Sequence, residues 1–115
     1  MAKHELWWVA GVLEGEGSFI PTYIRGNYWL LIQVRNTDMS LLQALKDVTG
    51  VGTIWGPVKP EKRAKPHWLP QYVWAVRRIN DAKALMEMLH PIMSQKRQAQ
   101  IEHSLTVFET QSKVA

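Results

Sequence analysis

The chain has 115 residues, of which 46% are hydrophobic, and its 14 Lys and Arg outnumber its 10 Asp and Glu to give a net charge of +4. This size predicts one domain over residues 1–115, and the basic balance favours a polyanionic partner. Because Cys is absent, disulfides and thiolate metal sites are excluded, and no apolar run is long enough to span a membrane. With no secretion signal, we expect no membrane partner and a cytoplasmic (bacterial or phage) or organellar location.

The first predicted helix covers residues 4–14, where apolar side chains recur at helical spacing, as at Val9 and Leu13. Gly11 and Gly15 lie on this helix or at its end. Because glycine destabilises a helix, the presence of two glycines requires an explanation. Because they are four residues apart, they share one face. We expect them, together with Ala10, to make a smooth face that another backbone can approach closely.

Two acids, Glu14 and Glu16, alternate with glycines where this helix ends. The helix macrodipole places partial negative charge at this end, so carboxylates there are unfavourable unless a positive group lies nearby. A bound divalent cation would resolve the conflict, because carboxylate oxygens are the ligands that Mg²⁺ prefers.

Two strands are predicted next, at residues 18–24 and 28–35, separated by a turn at 25–27. In the second strand, apolar side chains at alternate positions point one way, and the other face mixes polar and apolar groups. Pro21 lacks the N–H that a ladder needs, so we expect a bulge or irregular pairing in the first strand. Most of the six tryptophans are expected in the core.

The rest of the chain predicts two more strands and three more helices. In chain order these are a helix at 39–49, a strand at 51–55, a loop at 56–70, a strand at 72–79, and helices at 82–89 and 94–109. Asp38 is the expected N-cap of the helix at 39–49, and Gly50 its stop. Asn80 and Asp81 are expected to cap the next helix. The order is α-β-β-α-β-β-α-α, with no second copy of the acidic segment.

Residues 9–17 read VAGVLEGEG and are followed by a Ser-Phe pair. This segment resembles the motif that names the LAGLIDADG homing endonucleases. Ala10, Gly11 and Gly17 are identical to the signature, and aliphatic residues stand where it is aliphatic. Both acids match its acidic positions, with glutamate in place of aspartate. The resemblance extends over nearly the whole chain, through the last helix.

The resemblance implies an α+β fold: an α-β-β-α-β-β-α saddle with a four-stranded antiparallel sheet and helices on one face. A single motif in a small chain implies a homodimer, in which the first helices of two protomers pack on a two-fold axis. Ala10, Gly11 and Glu14 would lie at that interface. The implied partner is double-stranded DNA, and a two-fold dimer would bind a near-palindromic site.

The resemblance also implies a metal centre. It makes Glu16, together with the backbone at Gly15, the ligand of Mg²⁺, for which Ca²⁺ or Mn²⁺ can substitute in binding. Glu14 is a secondary acid that shapes the helix end.

Two further residues would assist catalysis, by the same resemblance. Lys96 corresponds to a basic residue near the scissile phosphate, and Gln95 is the competing match in a register shifted by one. Asn36 corresponds to a polar residue that organises solvent near the metal, although as a residue of a cap cluster it has an ordinary structural reading as well.

Candidate DNA-contacting residues lie on the mixed face of the predicted sheet and in the basic loop. They are Thr22, Arg25, Asn27, Trp29, Gln33, Arg35 and Arg77 on the sheet, and Lys59, Lys62, Arg63 and Lys65 in the loop. Arg and Gln can read base edges, and loop cations suit phosphate contacts. Trp29 and the neighbouring Leu31 indicate that part of this face is either buried or in contact with thymine methyl groups.

The implied function is a site-specific DNA endonuclease that makes a staggered, Mg²⁺-dependent double-strand break. Two alternatives share the fold: an RNA maturase that assists intron splicing, with intron RNA as its partner, and a DNA-binding regulator that does not cleave. An inactive remnant is a third. The retained acid at Glu16 argues against the regulator but not against the maturase.

Overall fold

The helices and strands follow the predicted order in the computed structural model, which describes residues 1–58 and 69–112. The elements are α1 (Lys3–Glu16), β1 (Gly17–Ile24), β2 (Asn27–Asn36), α2 (Met39–Thr49), β3 (Thr53–Trp55), β4 (Tyr72–Val76), α3 (Ile79–Leu89), a 3₁₀ turn (His90–Ile92) and α4 (Gln95–Ser112). The four cations predicted in the basic loop, Lys59, Lys62, Arg63 and Lys65, lie outside the described residues.

The strands form one antiparallel sheet in the order β1-β2-β4-β3. On one face of β2, Leu30, Ile32 and Val34 are fully buried and join the helices in a single core. The opposite face is open, with side chains such as Ile20 exposed. This confirms the predicted α+β fold and the predicted alternation in β2.

The hairpin joining β1 and β2 turns at Arg25 and Gly26, whose φ angles are 51° and 83°. Positive φ at both positions is typical of a type I′ turn, whose twist matches that of the flanking strands. The predicted irregularity at Pro21 is wrong, because Pro21 pairs with Leu30 in an unbroken register. Since β1 is an edge strand, it tolerates a residue that cannot donate to a neighbour.

The helix after β2 begins and ends as predicted. The Asp38 side chain accepts a hydrogen bond from the Ser40 backbone N–H at 2.9 Å. Gly50 ends the helix in the left-handed conformation, with φ of 71°. Both signals are local, which is why the sequence carried them.

The segment from β4 to α3 differs from the prediction. The strand ends at Val76 rather than at residue 79, and the helix begins at Ile79 with Arg78 as its N-cap. Asn80 and Asp81 therefore lie in the first helical turn and do not cap it. An acid is still favourable there because the dipole is positive at this end.

The tryptophan prediction is wrong for the described part of the chain. Only Trp74 of its five tryptophans is fully buried. The others are exposed by 52% (Trp7), 39% (Trp8), 37% (Trp29) and 37% (Trp55). They lie on the outer side of α1 and on the sheet face opposite the core. None of the helices in residues 1–58 and 69–112 has the length and apolar character of a membrane span.

Candidate active site

The first helix extends through Glu16, two residues further than predicted, so both acids lie in its last turn. Gly17 then begins β1 without a connecting loop. A Cβ atom at Gly17 would lie only 2.6–2.8 Å from atoms of Leu13, so a larger residue would push the strand away from the helix. The glycine thus fixes Glu16 at the junction of helix and sheet, where its side chain is exposed.

Asn36, at the end of β2, holds the Glu16 carboxylate. Its Nδ2 donates a hydrogen bond to Glu16 Oε2 at 2.7 Å, and its Oδ1 accepts one from the Asp38 backbone N–H at 2.8 Å. Because both ends of the amide are engaged, the side chain has one orientation. The structure therefore brings together two of the three predicted catalytic residues, Glu16 and Asn36. The bond to Asp38 is the structural contact expected of Asn36 as a member of the cap cluster before α2.

Glu14 faces away from that pair and binds the start of α4. Its Oε1 accepts a hydrogen bond from the Ser94 backbone N–H, and its Oε2 accepts one from Ser94 Oγ, both at 2.7 Å. These bonds favour the charged carboxylate, and the backbone bond is the largest cause of the lowered pKa of Glu14. Glu14 therefore joins two helices within one chain.

Arg97 is the residue at this junction that the sequence analysis missed. Its Nε and Nη2 donate hydrogen bonds to the main-chain oxygen of Glu14 at 3.1 and 2.9 Å, and its side chain is only 12% exposed. A guanidinium at a helix C-terminus satisfies a free carbonyl and offsets the dipole. The sequence did indicate such a residue, because two acids at the C-terminal end of a helix are unfavourable unless a positive group lies nearby.

Lys96, next to Arg97 in the first turn of α4, is exposed. Its charge is the smallest of the contributions that lower the pKa of Glu14, after the Ser94 hydrogen bonds and the charge of Arg97. Gln95, its competing match, is exposed beside it. Both therefore lie at the α4 end of the junction, within the electrostatic reach of α1.

The outer face of α1 is open where Gly11 and Gly15 lie. A Cβ atom at either glycine would meet no other part of the described chain within 4 Å. Trp7, on the same helix, is also exposed. Ala10, predicted at the dimer interface, is instead 4% exposed and belongs to the chain's own core. Ala10 lies on the buried side of α1 with Val9 and Leu13, whereas Gly11 is exposed.

The open sheet face carries most of the predicted DNA contacts, since directly paired residues project to the same side. Its residues are Ser18, Ile20, Thr22 and Ile24 on β1, Asn27, Trp29, Leu31, Gln33 and Arg35 on β2, Thr53 and Trp55 on β3, and Val73 and Ala75 on β4. Arg25 lies at the hairpin tip. The face is therefore mixed, with large apolar side chains among the polar ones.

Arg77 lies just beyond the end of β4 and not within a strand as predicted. Its guanidinium carbon is 4.8 Å from the ring centroid of Trp55, a cation–π contact. Trp55 was not among the predicted contacts, because its pairing with Val73 is a long-range feature of the sheet.

The donor set at Glu16 suits a hard cation. Within residues 1–58 and 69–112, no group of three or more Asp, Glu or His side chains could hold a metal ion. Mg²⁺ in nucleotide sites is commonly bound by one or two carboxylates, with water and substrate phosphates completing the shell. A single exposed carboxylate, oriented by Asn36, fits that pattern as one protein ligand of a shared site.

No protein-family model matches the chain, and no curated protein matches it in sequence. Solved structures with a similar fold include the following three. One is the LAGLIDADG meganuclease I-AabMI bound to uncleaved DNA, with a TM-score of 0.73 and 20% identity over 94% of this chain and 37% of that one. Another is the homing endonuclease I-CvuI in complex with the I-CreI target in the presence of Mg, with uncleaved DNA. Its TM-score is 0.71 and its identity 18%, over 94% of this chain and 69% of that one. The third is the archaeal intron-encoded homing endonuclease I-Vdi141I in complex with DNA. Its TM-score is 0.68 and its identity 21%, over 96% of this chain and 70% of that one. The chain thus spans about a third of the first protein and about 70% of the other two.

Proposed function

We propose that this chain, which has the fold of the LAGLIDADG homing endonucleases, is a site-specific DNA endonuclease that makes a staggered, Mg²⁺-dependent double-strand break. The observation that carries the proposal is the Glu16 carboxylate, exposed at the end of α1 and oriented by Asn36 at 2.7 Å. The hydrogen bond holds an exposed carboxylate in one orientation at the helix end, which supports its use as a metal ligand.

Glu16 and the backbone at Gly15 would hold the metal. A bound Mg²⁺ would supply Lewis-acid stabilisation of charge on the scissile phosphate. Asn36 fixes the Glu16 carboxylate, and its amide can also orient a water molecule beside it. Lys96, exposed at the start of α4, would offset negative charge on the phosphate. Gln95, the competing match, is neutral and could only donate a hydrogen bond.

The proposed active species is a homodimer joined through α1. Gly11 and Gly15 leave an open strip on the helix, and small residues in such a strip allow two backbones to approach closely. Pairing these strips would bring two Glu16 side chains to one cleavage centre. Like charges would repel there, so cation binding and dimer geometry are coupled.

The open sheet face is the proposed DNA-binding surface, since its cations complement a polyanion. Arg25 marks the hairpin end, and Arg35 and Arg77 lie at the opposite end of the face. Gln33 lies between them and is the proposed reader of a base edge. Lys59, Lys62, Arg63 and Lys65 stay proposed phosphate contacts on the strength of their charge alone.

A randomised duplex DNA library tests the proposal. The protein is incubated with the library in Mg²⁺ and, separately, in Ca²⁺, and both cut ends and bound molecules are sequenced. We expect cut ends centred on a near-palindrome in Mg²⁺ only. Bound but uncut DNA in both metals would overturn the nuclease in favour of a regulator, and selective binding of structured intron RNA would favour the maturase.

Glu16→Gln is the matched active-site variant. Because it removes the charged metal ligand but keeps the size and the Asn36 contact, we expect cutting to fall by more than about 100-fold with DNA binding retained. Glu87→Gln, the same change at an exposed residue of α3, is the control and should cut normally. Unchanged cutting by Glu16→Gln would remove Glu16 from the site.

A further inference from the structure

The middle of the open sheet face is apolar. Ile20 pairs with Leu31, and Thr22 pairs with Trp29, on the same side of the sheet. Ile20 is 42% exposed although it is an isoleucine in a strand. We call these four side chains the apolar block, since Ile20, Leu31 and Trp29 are apolar and Thr22 adds a methyl group beside its hydroxyl. Exposed apolar side chains grouped in this way, and not scattered singly, mark a binding surface.

The residues that flank the apolar block along the strands are more polar. Toward Glu16 the next cross-strand pair is Ser18 with Gln33. Toward the hairpin tip it is Asn27 with Ile24, and Ile24 is itself apolar and 48% exposed. Arginines lie beyond both ends, Arg35 on the inner side and Arg25 on the outer side. A protein partner with an apolar surface would have to bury these cations, whereas a nucleic acid would pair them with phosphates. The charge pattern therefore favours DNA as the occupant.

The spacing of residues along a strand indicates how many base pairs the block can contact and how far they lie from the cleavage centre. Same-face residues of a strand are about 6.6 Å apart, and base pairs rise by about 3.4 Å, so each cross-strand pair faces about two base pairs. The block, which contains two such pairs, would face about four base pairs. It begins four residues beyond Glu16, which corresponds to roughly four base pairs outward from the cleavage centre.

Only one base edge in the major groove offers an apolar group, and that group is the C5-methyl of thymine. We infer, on the basis of the proposed function, that the apolar block reads thymine methyl groups, so that each half-site carries a thymine-rich run of about four base pairs facing it. Uracil lacks this methyl, and the major groove of A-form RNA is too narrow to admit side chains. The same block therefore selects DNA over structured RNA.

Deoxyuridine substitution tests this inference, because it removes the methyl and changes nothing else on the base edge. Thymidines of the target selected from the library are replaced one at a time, and binding is measured by competition in Ca²⁺, where DNA is not cut. We expect affinity to fall about fourfold for each methyl that the block contacts, the factor for one buried methyl group. Thymidines outside the run should show no change.

Two variants assign the effect to the block. Ile20→Ser should remove the deoxyuridine penalty at the positions that Ile20 contacts, since the coupling requires both groups. Tyr23→Ser is the matched control: Tyr23 is 61% exposed on the same strand but projects from the opposite face, so the penalty should persist. Thermal unfolding of each variant verifies that it is folded.

The outcomes separate this inference from the proposed function. DNA that is bound and cut without any deoxyuridine penalty would overturn the inference and leave the endonuclease intact. An Ile20→Ser variant that changes the oligomeric state but not the penalty would also overturn it, because the block would then contact a second copy. A protein that selects no DNA would overturn the proposed function itself.

Discussion

At the residue scale, the two acids of the motif have separate tasks although they are only two positions apart. Glu16 is exposed and contacts one amide, whereas Glu14 is bound by the backbone and hydroxyl of Ser94. The difference follows from helical geometry, since residues two apart point in nearly opposite directions. Glu16 is therefore left exposed, while Glu14 joins α1 to the start of α4.

Glu14 should make stability depend on pH. Its pKa is lowered in the folded chain, mainly by the Ser94 backbone bond, so the charged form is favoured by folding. That stability is present above the ordinary glutamate pKa of about 4.3 and is lost as the pH falls through the lower folded value. We therefore expect Glu14→Gln to lower Tm at pH 7, with a difference from the parent that shrinks as the pH falls below about 4.

Glu87→Gln on α3 is the control for this series, because Glu87 is exposed and the change is identical. Its Tm should follow that of the parent at every pH. A Glu14→Gln difference that is constant from pH 7 to the acid limit would contradict the assigned role of the carboxylate charge.

At the scale of elements, the end of α1 and the start of α4 form one unit. Ser94 binds the Glu14 side chain, and Arg97 binds the Glu14 carbonyl through two nitrogen atoms. Ser94 Oγ also accepts a hydrogen bond from the Arg97 backbone N–H at 3.3 Å, as an N-cap does. The position of Lys96 relative to Glu16 therefore depends on contacts that neither residue makes itself.

Arg97→Met tests this coupling. The change keeps an unbranched apolar stem but removes three charged hydrogen bonds, two to the Glu14 carbonyl and one to Gln100 Oε1, from a side chain that is mostly buried. We expect unfolding free energy to fall by about 1.5–3 kcal/mol, measured by urea denaturation. At a temperature where the variant is folded, DNA cutting should fall more than DNA binding, because the first turn of α4 loses its docking to α1.

Lys83→Met is the matched control for Arg97→Met. Lys83 forms an ion pair with Glu109 at 3.4 Å, but both side chains are exposed, so its loss should change stability by less than about 0.5 kcal/mol. Equal losses of cutting and binding in Arg97→Met would mean that the junction holds the fold together without positioning Lys96.

At the scale of the whole molecule, two surfaces of the described part of the chain carry large exposed apolar side chains. One is the strip of α1 around Gly11, and the other is the open sheet face that carries Trp29 and Trp55. Four exposed tryptophans on these surfaces are difficult to explain for a monomer without a partner. They agree with the proposed dimer on one surface and the proposed DNA on the other.

Gly11→Leu tests the dimer. Because a Cβ at Gly11 meets nothing within 4 Å in the described chain, the larger residue should not disturb the protomer, and leucine also favours the helix by about 0.8 kcal/mol over glycine. In the proposed dimer, the leucine side chain would keep the two α1 backbones from approaching closely. We expect a shift from dimer to monomer in sedimentation at micromolar concentration, and a loss of double-strand cutting.

Ala84→Leu, a comparable enlargement on the exposed side of α3, should leave the oligomeric state unchanged. A Gly11→Leu protein that stays dimeric would exclude α1 as the dimer contact. A parent protein that is monomeric even when bound to DNA would exclude the dimer altogether.

The amino-acid sequence by itself determined the motif, the element order and the local signals, because each depends on residues close in the chain. The Asp38 cap, the Gly50 stop and the alternation of β2 were all predicted for that reason. Only the tertiary structure decided which partners the two acids have. Asn36 is 20 residues from Glu16, and Arg97 is 83 residues from Glu14, so no periodicity links them. It also decided that Ala10 is buried and that four tryptophans are exposed, because burial depends on which faces the other elements cover.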